Sequence, residues 1–212
     1  ETQASLYTLN RDYFYQPNND GQTWSFASSG TTLTLPVGQL ALDNISTAVA
    51  TVLISGLEIS QTSIATGIQQ ARLQGRFEVR QIQDKTVIFD AGHNPHGVEF
   101  LLKQLQKFLK YHTQYTEVIA VFSMLADKDI ASVTDLLKTT VNDWFIATLD
   151  VPRAAPMQQL QDALQGQHVH TFDHIQQAFE TAVQQCHHHQ LILVCGSFHT
   201  LEAVWESLEQ CQ

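Results

Sequence analysis

The groups in this 212-residue chain that could do chemistry are densest in Phe89-Asp90-Ala91-Gly92-His93-Asn94-Pro95-His96-Gly97. A carboxylate, two imidazoles and an amide stand together on a glycine-bearing turn. The apolar run Thr86–Phe89 ahead of them predicts a strand, which places Asp90 at its carboxyl end. Asn94 suits an N-cap, and Pro95 suits the first helical turn, where its missing N–H costs nothing. A helix should therefore start here, with free backbone N–H groups that favour an anion by about 0.3–1 kcal/mol. In open α/β folds, ligands bind at the carboxyl ends of strands. The chemistry expected of Asp90, His93, Asn94 and His96 is thus the holding and positioning of an anionic substrate.

Each candidate has a plainer reading. On a helix His93 and His96 would share a face, but two ligands do not make a metal site and no cysteine or acidic pair completes one, so no metal is assigned. The histidines could instead satisfy a loop. Asp90 could be a turn carboxylate, Asn44 an N-cap, and Arg76 a solvated charge beside Gly75. Ser197 and Thr200 could cap the last helix, flanking Phe198 and His199. Asp127-Lys128-Asp129 reads as the cap of another helix, with Lys128 a weaker substrate candidate. His187–His189 reads as a solvated helix end with at most adventitious nickel binding. No Ser-His-Asp nucleophilic arrangement is implied.

The elements that must position these groups follow from periodicity. Alternating runs at Leu6–Leu9, Thr23–Ala27 and Thr31–Leu35, broken at Pro17–Gly21 and Ser28–Gly30, predict hairpin-like β structure. Asp43-Asn44 precedes a buried helix over Ile45–Leu53, and a more polar helix over Ser60–Gln70 is capped near Ser60. Arg72–Phe77 reads as a hinge-like connection. From residue 78 strands and helices alternate. Strands are expected at Thr86–Phe89, Thr116–Phe122, Trp144–Leu149, His168–Phe172 and Leu191–Cys195. Helices are expected near 96–110, 128–140, 156–164, 174–187 and 199–210. Leu101, Leu102, Leu105, Phe108 and Leu109 lie at helical spacing and should face a sheet. Such alternation with short links predicts a parallel sheet with right-handed crossovers. The loops after the strands, Asp90–His96, Ser123–Asp127, Asp150–Arg153 and Gly196–His199, then fall on one edge.

Composition narrows the function classes. Hydrophobic residues at 43% against charged residues at 15% describe a globular chain. A formal charge of −10 offers no basic field for nucleic acid. No apolar run is long enough to span a bilayer and no signal-peptide pattern opens the chain. Cys186, Cys195 and Cys211 form no CxxC pair, and their odd number points to a reducing cytoplasm. The chain opens at Glu1 without methionine, and none of its ten glycines lies in a Gly-x4-Gly-Lys-Ser/Thr arrangement. A start in the middle of a polar segment suggests a piece of a longer protein rather than a natural beginning.

Asp90-x-x-His93-Asn94-Pro95-His96, following Leu73-Gln74-Gly75-Arg76-Phe77, resembles the C-terminal part of the bacterial folylpolyglutamate synthase/dihydrofolate synthase family of Mur-type ATP-dependent amide ligases. Three further blocks match in order: Ser123–Asp129, Asp143–Arg153 and Leu193–Thr200. The likeness runs from about residue 36 to the end.

The resemblance implies an α/β fold with a Rossmann-like, mostly parallel C-terminal sheet and flanking helices, preceded by a smaller α+β remnant of a central ATPase domain. Residues 1–75 would be that remnant, a β ribbon plus two helices, and 76–212 the glutamate/nucleotide-binding domain. It further implies ATP contacts from Asn44, Arg76 and Asp90. Asn44 would read the adenine, whose edge needs both a donor and an acceptor. A glutamate pocket would come from His93, Asn94, His96, Ser197 and His199, with His93 catalytic. Gln74 replaces the proline of the family's Leu-Pro-Gly-Arg, which loosens that turn without removing the charge.

The implied reaction joins L-glutamate to dihydropteroate or a folate through an acyl phosphate. ATP and Mg2+ are the implied cofactors, and an upstream P-loop portion would supply the magnesium ligands. The implied enzyme is a cytoplasmic monomer without nucleic-acid or membrane partners. Another Mur-type ligase, or a non-catalytic nucleotide-binding module, are the alternatives.

Overall fold

The computed structural model describes residues 5–210; Glu1 and Cys211, which entered the reading above, lie outside them. Contacts divide the chain into two units that meet between Leu73 and Gln74.

The first unit is an antiparallel meander of β1 (Tyr13–Pro17), β2 (Thr23–Ser28) and β3 (Thr31–Pro36), covered by helices α1 (Leu42–Ile54) and α2 (Gln61–Gln70). Tyr13, Trp24, Phe26 and Leu35 point inward and pack on Ile45, Val49, Ile64 and Ile68. Each such large apolar side chain contributes about 1.5–3 kcal/mol by leaving water. Ser60 caps α2, its side chain accepting from the Ser63 N–H at 3.1 Å.

Two expectations fail in this unit. No strand forms over Leu6–Leu9, where only Leu9 makes an isolated bridge, to Tyr13. Asp12 accepts from the Thr8 N–H at 2.6 Å and Asn10 takes a φ of +67°, so the segment turns, and β1 begins at Tyr13. Helix α1 starts at Leu42 with Ala41 at the N-cap position, so Asn44 sits within its first turn and is not the cap.

The second unit is a six-stranded sheet in the order β4-β5-β9-β6-β7-β8, parallel except at β4. Its strands are β4 (Glu78–Ile82), β5 (Lys85–Asp90), β6 (Glu117–Phe122), β7 (Asp143–Ala147), β8 (His168–Phe172) and β9 (Gln190–Cys195). Its helices are α3 (Pro95–Tyr111), α4 (Ile130–Leu137), α5 (Met157–Ala163), α6 (Ile175–Gln185) and α7 (Phe198–Gln210).

The edge strand β4 was not anticipated. It joins β5 through Gln83-Asp84, both left-handed at φ +48° and +62°. That hairpin geometry usually advertises itself with Asn-Gly or Asp-Gly, and here it carries no glycine. α4 is also shorter than expected, because Asp129 caps it by accepting from the Ser132 N–H at 3.1 Å.

The central strands are buried on both faces, as parallel strands are, so they read as continuous apolar runs. Val87, Ile88 and Phe89 are all fully buried. Alternate residues serve opposite cores. Ile88, Ala120, Trp144 and Leu193 meet α3, α4 and α5, whereas Phe89, Val121, Phe145 and Val194 meet α6 and α7. The chain therefore leaves β5 for one face of the sheet and leaves its neighbour β9 for the other. Such a reversal opens a crevice at the carboxyl ends of the two strands. No helix among the described residues is long and apolar enough to cross a membrane.

Candidate functional site

The crevice is built on adjacent strand ends, where Asp90 pairs in register with Cys195. After β5, Asn94 caps α3 by accepting from the Gly97 N–H at 2.8 Å, with Pro95 opening the helix. After β9, Ser197 accepts from the Thr200 N–H at 3.0 Å, and so caps α7. Two helix N-termini thus face the same edge, a favourable setting for carboxylate or phosphate oxygens.

Thr200 anchors the second loop to the sheet by donating to the Ser123 carbonyl at 2.8 Å. Gly196 lets the loop lie close to that strand end. Its φ is +109°, and a Cβ there would stand 2.3 Å from the Ser123 carbonyl oxygen.

Asp90 is 4% exposed and is committed to backbone donors. Oδ1 accepts from the Gly92 N–H at 2.7 Å and Oδ2 from the Phe77 N–H at 2.9 Å. Burial pushes its carboxyl above the ordinary range, opposed by those two donors and by the Arg76 guanidinium. The carboxylate therefore braces two loops at once.

The Gly75 carbonyl accepts from the Ala91 N–H at 2.8 Å, so the chain is fastened to the second unit from Gly75 onward. Arg72 donates to the Gln69 and Ala71 carbonyls at 2.8 and 2.9 Å. Within the connection read as hinge-like over Arg72–Phe77, Leu73 and Gln74 are exposed. Arg76 is half-buried, with its guanidinium 4.8 Å from the centre of the Phe198 ring.

His93 Nδ1 lies 2.9 Å from the Ala91 carbonyl oxygen. A carbonyl only accepts, so Nδ1 carries a proton in this contact, and in the neutral ring Nε2 is the acceptor. His96 is exposed on the first turn of α3, and His199 is half-buried with Nδ1 3.4 Å from Glu202. Arg76, Asp90, His93, Asn94, His96, Ser197 and His199 thus gather on the loops at one sheet edge. Lys128 stands 3.6 Å from Asp127, which also faces Arg153 at 3.5 Å.

A cleft of this unit lies to one side of these loops. It is about 410 Å3, lined by Asp150, His174, His199 and Glu202 among others, and of the candidate residues only His199 reaches it.

Asn44 belongs to the first unit. It stands at an apolar groove of about 360 Å3 between α1 and α2, with Leu40, Ile45, Val49, Ile64 and Ile68. An apolar slot with one exposed amide suits a flat, hydrogen-bonding ring. No three His, Cys, Asp or Glu side chains among the described residues are grouped to hold a metal ion.

Comparison with known proteins gives this arrangement a lineage. Residues 75–198 match the profile of the Mur ligase, glutamate ligase domain. The dihydrofolate synthase/folylpolyglutamate synthase of Escherichia coli K12 is 38% identical over 187 residues, 88% of this chain and 43% of that protein. The structure of E. coli FolC in complex with DHPP and ADP superposes with a TM-score of 0.81 at 36% identity, covering 96% of this chain and 47% of that one. A bifunctional folylpolyglutamate synthase/dihydrofolate synthase with Mn, AMPPNP and L-glutamate bound gives 0.82 at 33% identity, covering 97% and 48%. The chain spans about half the length of the curated relatives it matches. A glutamate ligase domain profile matched across more than half of these residues makes the chain a member of the Mur ligase family.

Proposed function

We propose that this chain is part of an ATP-dependent ligase that adds L-glutamate to dihydropteroate, to folylpolyglutamate, or to both, through an acyl phosphate. The observation that carries the reading is the convergence of Arg76, the His93–His96 turn and the Ser197–His199 loop on adjacent strand ends of a Mur ligase domain. Little covalent chemistry falls to side chains in such a reaction; positioning and charge neutralisation do most of the work.

Arg76 clamps phosphate oxygens, for which a guanidinium is suited because it is always charged and donates bidentately. Asp90 serves the nucleotide side by holding the backbone beside Arg76. Asn44 reads the adenine from its apolar groove. The first turns of α3 and α7, with Asn94, His96, Ser197 and His199, receive the two carboxylates of glutamate. His93 presents Nε2 to the glutamate amino group and takes the proton that must leave before attack. The divalent ion that accompanies ATP, magnesium in our reading, would draw its ligands from the upstream P-loop portion of the enzyme. We read the enzyme as a cytoplasmic monomer.

The test is ATP-dependent incorporation of labelled glutamate by the native-length protein, offered dihydropteroate and tetrahydrofolate in parallel. Product with either acceptor is expected, and product with both identifies a bifunctional synthase. A folded, metal-supplied enzyme that labels neither would overturn the substrate assignment and turn attention to cell-wall acceptors. That second reading is favoured by similarity to UDP-N-acetylmuramoyl-L-alanyl-D-glutamate–2,6-diaminopimelate ligases, among them that of Synechococcus elongatus, 34% identical over 135 residues.

A further inference from the structure

Arg76 is restrained on three sides, and two of the restraints come from residues with no role so far. On its amino side, Glu78 Oε2 accepts from the Gly75 N–H at 2.9 Å. On its carboxyl side, Asp90 accepts from the Phe77 N–H at 2.9 Å. The Arg76–Phe77 peptide unit therefore cannot turn without breaking a hydrogen bond to a carboxylate, the stronger kind, and Glu78 holds the Gln74–Gly75 unit, one residue ahead of Arg76, in the same way.

Glu78 is itself held. Its other oxygen accepts from Arg80 Nε at 2.8 Å and pairs with the second Arg80 nitrogen at 2.6 Å. Arg80 in turn lies over the Phe89 and Trp205 rings, each centroid 5.3 Å away.

The third restraint is Phe198, the first residue of α7, whose ring lies 4.8 Å from the Arg76 guanidinium. Phe198 is 45% exposed, so burial does not explain why a large apolar ring stands at that point. A guanidinium carries its five N–H donors in its own plane. Contact with the ring restricts the directions those donors can take. A free arginine side chain holds about 2 kcal/mol of rotamer entropy that binding must otherwise remove.

We propose that Glu78 and Phe198 are positioning residues for Arg76. Glu78 fixes its backbone, and Phe198 fixes its guanidinium plane for bidentate capture of a phosphate before the ligand arrives. The proposal rests on the reading of this edge as a nucleotide site. It also ties the phosphate contact to the Ser197–His199 loop, because Phe198 directly follows the α7 cap.

Two measurements separate the proposal from that reading. In the 212-residue chain, ring current from Phe198 should shift the Arg76 δ-methylene protons upfield by NMR. Phe198→Leu should abolish the shift and Phe198→Tyr should keep it. In the native-length protein, Phe198→Leu and Glu78→Ala should each raise KM for ATP about five- to tenfold, the range expected for losing a cation–π contact or a backbone anchor. KM for glutamate and the melting temperature should stay within about twofold and 2 °C, and Phe198→Tyr should restore KM for ATP. A melting temperature that falls while KM for ATP holds would show a merely structural role and overturn the proposal. An unshifted Arg76 resonance would overturn it as well. A wild-type enzyme that makes no amide would instead sink the ligase reading, leaving the NMR shift to decide the positioning.

Discussion

Asp90 illustrates how burial and hydrogen bonding compete at a single residue. Its carboxylate accepts from two backbone N–H groups, and asparagine offers only one acceptor oxygen in the same space. Asp90→Asn should cost the chain about 1–3 kcal/mol, read by urea unfolding, because one N–H then faces an amide NH2. The pH dependence has a definite sign. Burial raises the folded carboxyl above its unfolded value of about 3.9, so the native state binds this proton more tightly. The stability contributed by this group is therefore greatest below the unfolded pKa and declines as pH rises through the folded one. The unfolding free energy of wild type minus that of Asp90→Asn should fall across that weakly acidic window; a flat or rising difference would reverse the assigned cause. Arg76 has the opposite character, a half-exposed charge to which we assign phosphate binding. Arg76→Ala in the native-length enzyme should lower kcat by about 10²-fold or more, the scale of losing one transition-state charge donor. An unchanged kcat would remove it from the site.

Among elements, the β9–α7 connection is the least tolerant. Gly196 combines a left-handed φ of +109° with an approach that would put a Cβ 2.3 Å from the Ser123 carbonyl oxygen. Gly196→Ala should cost about 3 kcal/mol or more, since backbone strain and a backbone clash add. A denaturation midpoint equal to wild type would refute this. The same glycine is legible in the sequence as a break after Leu191–Cys195, although nothing local shows what it approaches. The caps were equally legible. Asn94, Asp129 and Ser60 each accept the backbone N–H that their type and place suggested. β4 and the start of α1 were not legible, for opposite reasons. β4 hides behind a turn of two left-handed non-glycine residues, and α1 begins without a side-chain cap.

For the whole molecule, the cores are private to each unit. The two clusters that sandwich the six-stranded sheet draw only on residues from Phe77 onward, and the cluster under the meander only on residues up to Ile68. Residues 74–212 should therefore fold by themselves, with a cooperative thermal transition and an unchanged far-ultraviolet signature per residue. A molten, non-cooperative profile would show that the first unit is required. The 212-residue chain contains no Gly-x4-Gly-Lys-Ser/Thr loop, so by itself it should form no ADP and no glutamyl product. Turnover by the purified chain would break the link between the missing loop and activity.

The sequence by itself determined the class of the fold, the edge that carries the loops and the identity of most candidate residues. Those are local properties: apolar runs of strand length, helical spacing, and cap and turn residues at strand ends. Tertiary structure alone decided which side of the sheet each helix takes, and hence that the crevice opens between β5 and β9, two strands about a hundred residues apart in sequence yet paired in register. It also decided that Asp90 spends both oxygens on backbone donors, that Asn44 stands at an apolar groove and does not cap its helix, and that the Phe198 ring lies against Arg76. Residue type announces a donor, an acceptor or a charge; only the packed chain settles which partner it meets and what remains free to bind.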